Sequence, residues 1–333
     1  MHWNQQRAPG WYLTSGLVCL SCCCATAGLE VESLRAESEV LSITVGPPTI
    51  LSNLAYQNTA SLAVSRAGVT AAFYPKPGTG PKFYRISTDG GWTWGPERVF
   101  TPANAGRMSI ALATGNVLFV TGQAKPVAGG KPGEQEAQSV LFSDDFSRFE
   151  TGRVTVFLPN VVLHTRWARF WPPFDKGKIV RLPNGDLLAT MYGDLKGDRQ
   201  YRTMIVRSTD LGRSWRYHAT VAYQPRDPAP QRVGQFCGYC EPSLVLLKNG
   251  QLLCVMRTQG AEIPNENRPI YAAWSDDSGK TWSTPQPTRP ALMNISPTLA
   301  VLDNGVVVCQ YGRPGFHVVF STDNGHTWRS RIS

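Results

Sequence analysis

Short apolar runs separated by turn residues recur along the chain. They are clearest in Pro242-Ser-Leu-Val-Leu-Leu-Lys-Asn249-Gly250-Gln-Leu-Leu-Cys-Val-Met256, then a loop, then Ile270-Tyr-Ala-Ala-Trp274. Two such runs joined by Asn-Gly predict a β-hairpin, because those two residues accept the positive φ that a two-residue turn demands. A third run and a further turn complete a unit of four strands. The same order recurs over residues 178–215 around Asn184-Gly185 and over 297–328 around Asn304-Gly305, with a looser copy over 61–94 around Ala67-Gly68. A worn fifth copy runs from Ser109 through Gly115-Asn116 to Ser143-Asp-Asp145-Phe-Ser147.

The turn before each fourth strand is an octapeptide that appears four times: Ser87-Thr-Asp89-Gly-Gly91-Trp-Thr93-Trp94, Ser208-Thr-Asp210-Leu-Gly212-Arg-Ser214-Trp215, Ser275-Asp-Asp277-Ser-Gly279-Lys-Thr281-Trp282 and Ser321-Thr-Asp323-Asn-Gly325-His-Thr327-Trp328. Each reads S-x-D-x-G-x-[ST]-W. The aspartate is suited to accept backbone N–H groups, the glycine to take a positive φ, the hydroxyls to tie the loop and the tryptophan to cover it. These residues are structural and are assigned no catalysis. Four-stranded units repeated around an axis are propeller blades, so the fold class is an all-β propeller of antiparallel blades.

Up-and-down connectivity places the Asn-Gly turns and the octapeptide turns on one face. The opposite face collects the segments entering each first strand and the loops between second and third strands, so binding chemistry belongs there. Those segments carry His164, Arg166, Arg169 and Asp175 ahead of the third unit, Tyr192, Asp194 and Asp198 in its second loop, Glu241 at the entry to the fourth unit with Arg257 ending its second strand, and Tyr311 and Arg313 in the fifth.

The octapeptide is identified as the Asp box, and the chain resembles the sialidase superfamily of Asp-box, BNR-repeat propellers over residues 61–328. Glu241-Pro-Ser-Leu, a Gly-centred turn and Val255-Met256-Arg257-Thr258 resemble the segment in which a glutamate is followed one hairpin later by a substrate-binding arginine. Arg313 resembles the next arginine of that family's triad. The resemblance implies a carboxylate-bearing sugar as ligand, chelated bidentately by guanidinium groups as lysine could not do. It also implies a tyrosine nucleophile relieved of its proton by Glu241, and an aspartic acid that protonates the leaving group, for which Asp175 and Asp194 are the candidates beside Asp198. Tyr192, Tyr239 and Tyr311 are the tyrosines to inspect. Two departures stand out. Gln57-Asn58-Thr59-Ala60-Ser61 occupies the place of the first triad arginine, for which Arg166 or Arg169 could substitute. The family's six blades imply a C-terminal blade, carrying the nucleophile, that this sequence lacks. The expected function is hydrolysis of terminal sialic acid. The alternatives are an acidic-glycan-binding propeller without catalysis and a hydrolase or lyase for another anionic sugar such as a uronic acid.

Composition narrows the partners. The 333 residues carry a formal net charge of +9, which favours acidic ligands, yet the basic residues form no run, so nucleic acid is not expected. An uncharged stretch from Trp11 to Cys24, preceded by Arg7 and closed by Ala25-Thr26-Ala27, reads as a signal peptide over 1–27, with the propeller over 28–333 and a secreted, periplasmic or cell-surface location. A lipid anchor at Cys22, Cys23 or Cys24 is the weaker variant of that reading. No other segment reaches the roughly 18 apolar residues of a membrane span. The chemistry calls for no cofactor and no metal. Cys237-Gly-Tyr-Cys240 lacks a second ligand pair and reads as a local disulfide or two thiols, while Cys254 and Cys309, at matching places in adjacent units, read as core thiols.

Overall fold

The computed structural model describes residues 33–35, 40–43, 46, 49–51, 60–75, 82–100, 108–159, 173–174, 178–198, 200–224, 238–259, 268–293, 295–312 and 315–332. The expected leader over 1–27, Asn294 and Cys237 lie outside the described residues.

All regular structure among these residues is β. A hairpin of β1 (Ser33–Arg35) and β2 (Val40–Ser42) precedes the repeats. The first unit is β3 (Ser61–Val64), β4 (Thr70–Pro75), β5 (Lys82–Ser87) and β6 (Arg98–Phe100). The second is β7 (Met108–Ala111), β8 (Val117–Pro126), β9 (Glu134–Phe142) and β10 (Phe149–Phe157), followed by β11 (Pro173–Phe174), which adds to β8. The third is β12 (Ile179–Arg181), β13 (Leu187–Gly193), β14 (Arg202–Ser208) and β15 (Ser214–Ala222). The fourth is β16 (Gly238–Leu246), β17 (Leu252–Gln259), β18 (Tyr271–Ser275) and β19 (Gln286–Pro287), and the fifth is β20 (Ile295–Val301), β21 (Val307–Gly312), β22 (His317–Ser321) and β23 (Arg329–Ile332). Within each unit the strands pair antiparallel in sequence order, as the alternation of apolar runs and turns requires. The fold is a β-propeller.

One join goes beyond the repeat grammar. The outer strands β10 and β15 pair in parallel, Thr155 with Ser214 through Phe157 with Arg216, which fuses the second and third units into a nine-stranded sheet. Strand β10 is nine residues long and would otherwise expose an unpaired edge. The other outer strands have two, three and four residues and leave little edge to protect.

The apolar core lies between neighbouring units. Val180, Leu182, Leu188 and Ile205 of the third pack on Leu244, Leu252, Cys254 and Met256 of the fourth. Val245, Leu253 and Val255 of the fourth pack on Leu299, Val307 and Cys309 of the fifth. Cys254 and Cys309 are fully buried, and that burial pushes both thiols up, as core thiols require. Between the first and second units an aromatic group of Phe73, Tyr84, Phe100, Phe119, Phe142 and Phe146 fills the space. The worn turn has no tryptophan, and buried Phe146 supplies apolar cover in its place.

The four octapeptides adopt one geometry. Each serine Oγ donates to the aspartate, at 2.7, 2.7, 2.9 and 2.7 Å, and accepts the glycine N–H at 2.8 to 2.9 Å. The aspartate accepts both the N–H and the hydroxyl of the following Thr or Ser. These bonds hold the Asp89 and Asp277 carboxyls down at about 2, the hydroxyl and N–H of Thr93 leading for the first and the N–H of Thr281 for the second. The tryptophan Nε1 donates to the glycine carbonyl in three copies, while Trp328 Nε1 has no acceptor among the described residues.

Two consecutive residues of each turn, and not the glycine alone, are left-handed: Gly90, Leu211, Ser278 and Asn324 precede glycines that also have positive φ. This turns the carbonyl of the first residue toward the preceding unit. Trp274 Nε1 donates to Asn324 O at 2.9 Å, His218 Nε2 lies 3.1 Å from Ser278 O, and Tyr84 OH donates to Phe146 O of the worn turn at 3.3 Å. At Gly212 and Gly325 a Cβ would come within 2.3 Å of Leu118 and 2.5 Å of Leu253, so each glycine seats directly on a core leucine of the unit before it. The octapeptide turns therefore join units as well as close them.

Candidate functional site

The face opposite the octapeptide turns carries Glu241 and Arg257. Arg257 lies near the end of β17, opposite Cys240 of β16. The register then slips, so that Ser243 is the next residue to face β17, opposite Val255, and Glu241-Pro242 form a β-bulge against the single residue Met256. Proline has no N–H to give the ladder, and a bulge absorbs that loss. Glu241 adopts φ +45°, a left-handed conformation that a glutamate avoids unless its surroundings impose it. The bulge aims its carboxylate at Arg257, whose Nη1 donates to Glu241 Oε2 at 3.1 Å. Both side chains are largely buried, with 12% and 9% exposure. A bulge occurs at the matching place in the fifth unit, between Ile295 and Thr298 and across Ser296-Pro297.

Tyr192 occupies in β13 the place that Arg257 holds in β17, eight residues after the turn asparagine in each case. It packs edge-on against Tyr201 at 5.6 Å, and the two form a buried group with Cys240, the neighbour of Glu241. Asp194 follows β13 directly and is half-buried. Asp198, the third candidate acid, accepts from Arg202 Nε at 2.9 Å and Nη2 at 2.6 Å and from the N–H of Leu195 at 3.0 Å. Its oxygens are committed to holding the loop, which leaves Asp194 as the described candidate. Tyr239 stands edge-on to Tyr271 at 5.5 Å, and Tyr311 is buried between the fourth and fifth units with its ring 5.2 Å from His317. Burial raises the Tyr311 phenol, and Arg331 opposes that rise. Arg166, Arg169, Asp175 and Arg313 lie outside the described residues. The structure thus brings together Glu241 and Arg257, with Tyr192 and Asp194 on the adjoining unit.

Three residues of this region carry no weight in the motif reading. Tyr201 and Cys240 pack beside the pair, and Gly238 allows the two units to meet. The Tyr201 backbone lies 2.5 Å from where a Cβ at Gly238 would stand, and Gly238 has φ +99°. A glycine three residues before the glutamate is the sequence signal for that approach. Lys178 stands at the entry to β12. It keeps some exposed surface, but burial of its ammonium pushes it down to about 8. No group of three or more His, Cys, Asp or Glu placed to hold a metal occurs among the described residues, and no helix among them is long and apolar enough to cross a membrane.

The family model described as a BNR repeat-like domain matches residues 127–333, which include Glu241, Arg257, Tyr192 and Asp194. The chain belongs to the BNR repeat-like family. Solved structures with the fold of this BNR repeat-like propeller include a protein of unknown function from Dyadobacter fermentans, 18% identical with a TM-score of 0.58, covering 82% of this chain and 81% of that one. A Hadza microbial sialidase is 16% identical with a TM-score of 0.56, covering 82% of this chain and 57% of that one. An α-L-arabinanase of Penicillium chrysogenum, complexed with arabinobiose, is 16% identical with a TM-score of 0.54, covering 81% and 79%. The chain therefore spans little more than half the length of the Hadza sialidase. These likenesses are likenesses of fold. Among curated proteins no significant sequence match is found.

Proposed function

We propose that the chain is a glycan-active protein that uses the Glu241–Arg257 pair to engage a terminal sugar carrying a carboxylate, with sialic acid the leading ligand and hydrolysis the leading reaction. The pair carries this reading. A buried ion pair on a left-handed bulge is costly to build, and such cost is typical of positions kept for chemistry rather than for packing. Arg257 would hold the sugar carboxylate with the fork that only a guanidinium presents. The incoming anion would compete with Glu241 for Arg257, freeing that carboxylate to accept a proton from a nucleophile. Asp194, across the boundary between units, would protonate the leaving oxygen, and Tyr192 would line the sugar. Export of the mature 28–333 segment to the cell surface, periplasm or medium fits a glycan substrate.

The test is release of fluorophore from a sialoside, a uronide and an arabinofuranoside by the full chain, beside Glu241→Gln and Arg257→Ala. Release from the sialoside alone, lost in both variants, supports the reading. Release only from the uronide keeps the site and changes the sugar. Glycan binding without release, lost in Arg257→Ala, makes the protein an acidic-glycan-binding propeller, and activity that survives both substitutions refutes the site.

A further inference from the structure

The loop between β13 and β14 is tied at both ends by contacts outside the Glu241–Arg257 pair. Inside the loop, Asp198 receives both Nε and Nη2 of Arg202 and the N–H of Leu195, which ties Leu195 to Arg202 through one carboxylate. The Asp198 and Arg202 side chains are 6% and 19% exposed. Arg202 is fixed in turn from the outer strand β15 and the residue after it. Its Nη1 donates to Thr220 Oγ1 at 2.9 Å, its guanidinium lies 4.1 Å over the Tyr223 ring, and Thr220 shares a hydrogen bond with Tyr217 OH at 2.8 Å.

The other end of the loop reaches the fourth unit. Tyr201, next to Arg202, makes a parallel bridge with Gly238, and its carbonyl accepts the N–H of Tyr239 at 3.3 Å. Thr203 Oγ1 donates to the carbonyl of Tyr239 at 3.1 Å. These bonds grip the strand two and three residues before Glu241, where the left-handed bulge begins. A glutamate held at positive φ springs back to a relaxed conformation unless the chain on both sides is anchored. On the C-terminal side the anchor is the β16–β17 ladder from Ser243 onward. On the N-terminal side it is this clamp, together with the β16–β17 pairs of Gly238 with Gln259, Tyr239 with Thr258 and Cys240 with Arg257.

We propose that Arg202 is a positioning residue: its fork to Asp198 holds the loop that bridges to Gly238 and Tyr239, and through that bridge fixes the direction of the Glu241 carboxylate toward Arg257. The effect on turnover rests on the glycosidase reading, while the clamp itself does not. The fork also sets the place of Asp194, which belongs to the same loop. One ion pair of the third unit thus governs the geometry of both carboxylates.

The experiment is amide hydrogen exchange on the full chain with Arg202→Met and Arg202→Lys, read at residues 238–243 and, for reference, at 252–256 and 204–208, with sialoside kinetics on the same samples. Arg202→Met is expected to speed exchange at Tyr239 and Glu241 by more than tenfold and to leave the two reference stretches within about twofold. Arg202→Lys keeps the charge without the fork and is expected to fall between; it also serves if the methionine variant does not fold. In an active protein, kcat falls at least tenfold in Arg202→Met with KM within about threefold. Unchanged exchange at Tyr239 overturns the clamp, whatever the activity. Faster exchange with an undiminished kcat overturns the positioning role. If the unmodified chain releases no sugar, the glycosidase reading fails, and exchange alone decides the clamp.

Discussion

At the face of the octapeptide turns, four copies repeat the same serine–aspartate–glycine hydrogen bonds, which close each turn, and in the last three the glycine also seats on a leucine of the unit before it. At the opposite face, equivalent strand positions hold Tyr192, Arg257 and Gly312, and the only described glutamate at a bulge is Glu241. Repetition marks residues that serve the ring, where each unit faces the same problem. Divergence at equivalent positions is what a ligand site requires, because a ligand meets each unit from a different side. The comparison gives a way to separate stability from function by substitution, because the two faces should respond differently.

The largest effect belongs to the pair. Arg257→Ala should abolish glycan binding and any turnover, and should cost about 3 kcal/mol of stability because it strands a buried carboxylate. Glu241→Gln should be equally inactive while unfolding in urea much nearer the parent, since the amide still accepts from Arg257. Equal stability loss in both variants would make the pair a structural bridge.

The next effect tests the other face. Asp210→Ala removes the acceptor of three hydrogen bonds in a turn whose tryptophan is fully buried, and should cost about 2 to 3 kcal/mol by urea denaturation with kcat unchanged. The same turns set the acid limit. The carboxyls of Asp89 and Asp277 sit at about 2 in the folded chain, below their unfolded value near 4, so the stability they add is present above pH 4 and is lost as pH falls toward 2. Acid unfolding followed by tryptophan fluorescence should show this loss, and Asp277→Asn should flatten it.

Lys178 works in the opposite sense. Its ammonium is depressed to about 8, so the folded chain carries a burial penalty at neutral pH that fades as pH rises from 8 toward the unfolded value of 10.5. Lys178→Met should raise stability at pH 7 by about 1 kcal/mol and by less at pH 10, as measured by thermal unfolding; the same gain at both would remove the buried charge as its cause. The smallest effect is at Leu211, a left-handed residue with a branched side chain on the surface. Leu211→Asn should gain about 0.5 kcal/mol and leave glycan binding untouched.

Much of the fold was legible because its signals are local. Asn-Gly pairs, alternating apolar runs and S-x-D-x-G-x-[ST]-W each follow from the conformations of a few adjacent residues, and repetition made them unmistakable. The parallel join of β10 to β15 was not legible, since it depends on how far an outer strand extends beside its neighbour. Likewise Leu211, Ser278 and Asn324 share a backbone conformation that no common side chain announces. In the site, the strand order put Glu241 and Arg257 on one face, and it was the resemblance to the sialidase segment that singled them out as a pair. The commitment of Asp198 to Arg202 depends on how their loop folds back on itself, and Gly238 signals a close approach without naming Tyr201 as the residue that makes it.

The most direct test of the account is a calorimetric titration of the full chain with free sialic acid and with an uncharged hexose, repeated on Arg257→Lys. Saturable binding of the acid sugar alone, weakened at least tenfold when lysine replaces the guanidinium fork, is the expected result. Equal binding of both sugars, or binding indifferent to that substitution, would contradict a carboxylate site at Arg257.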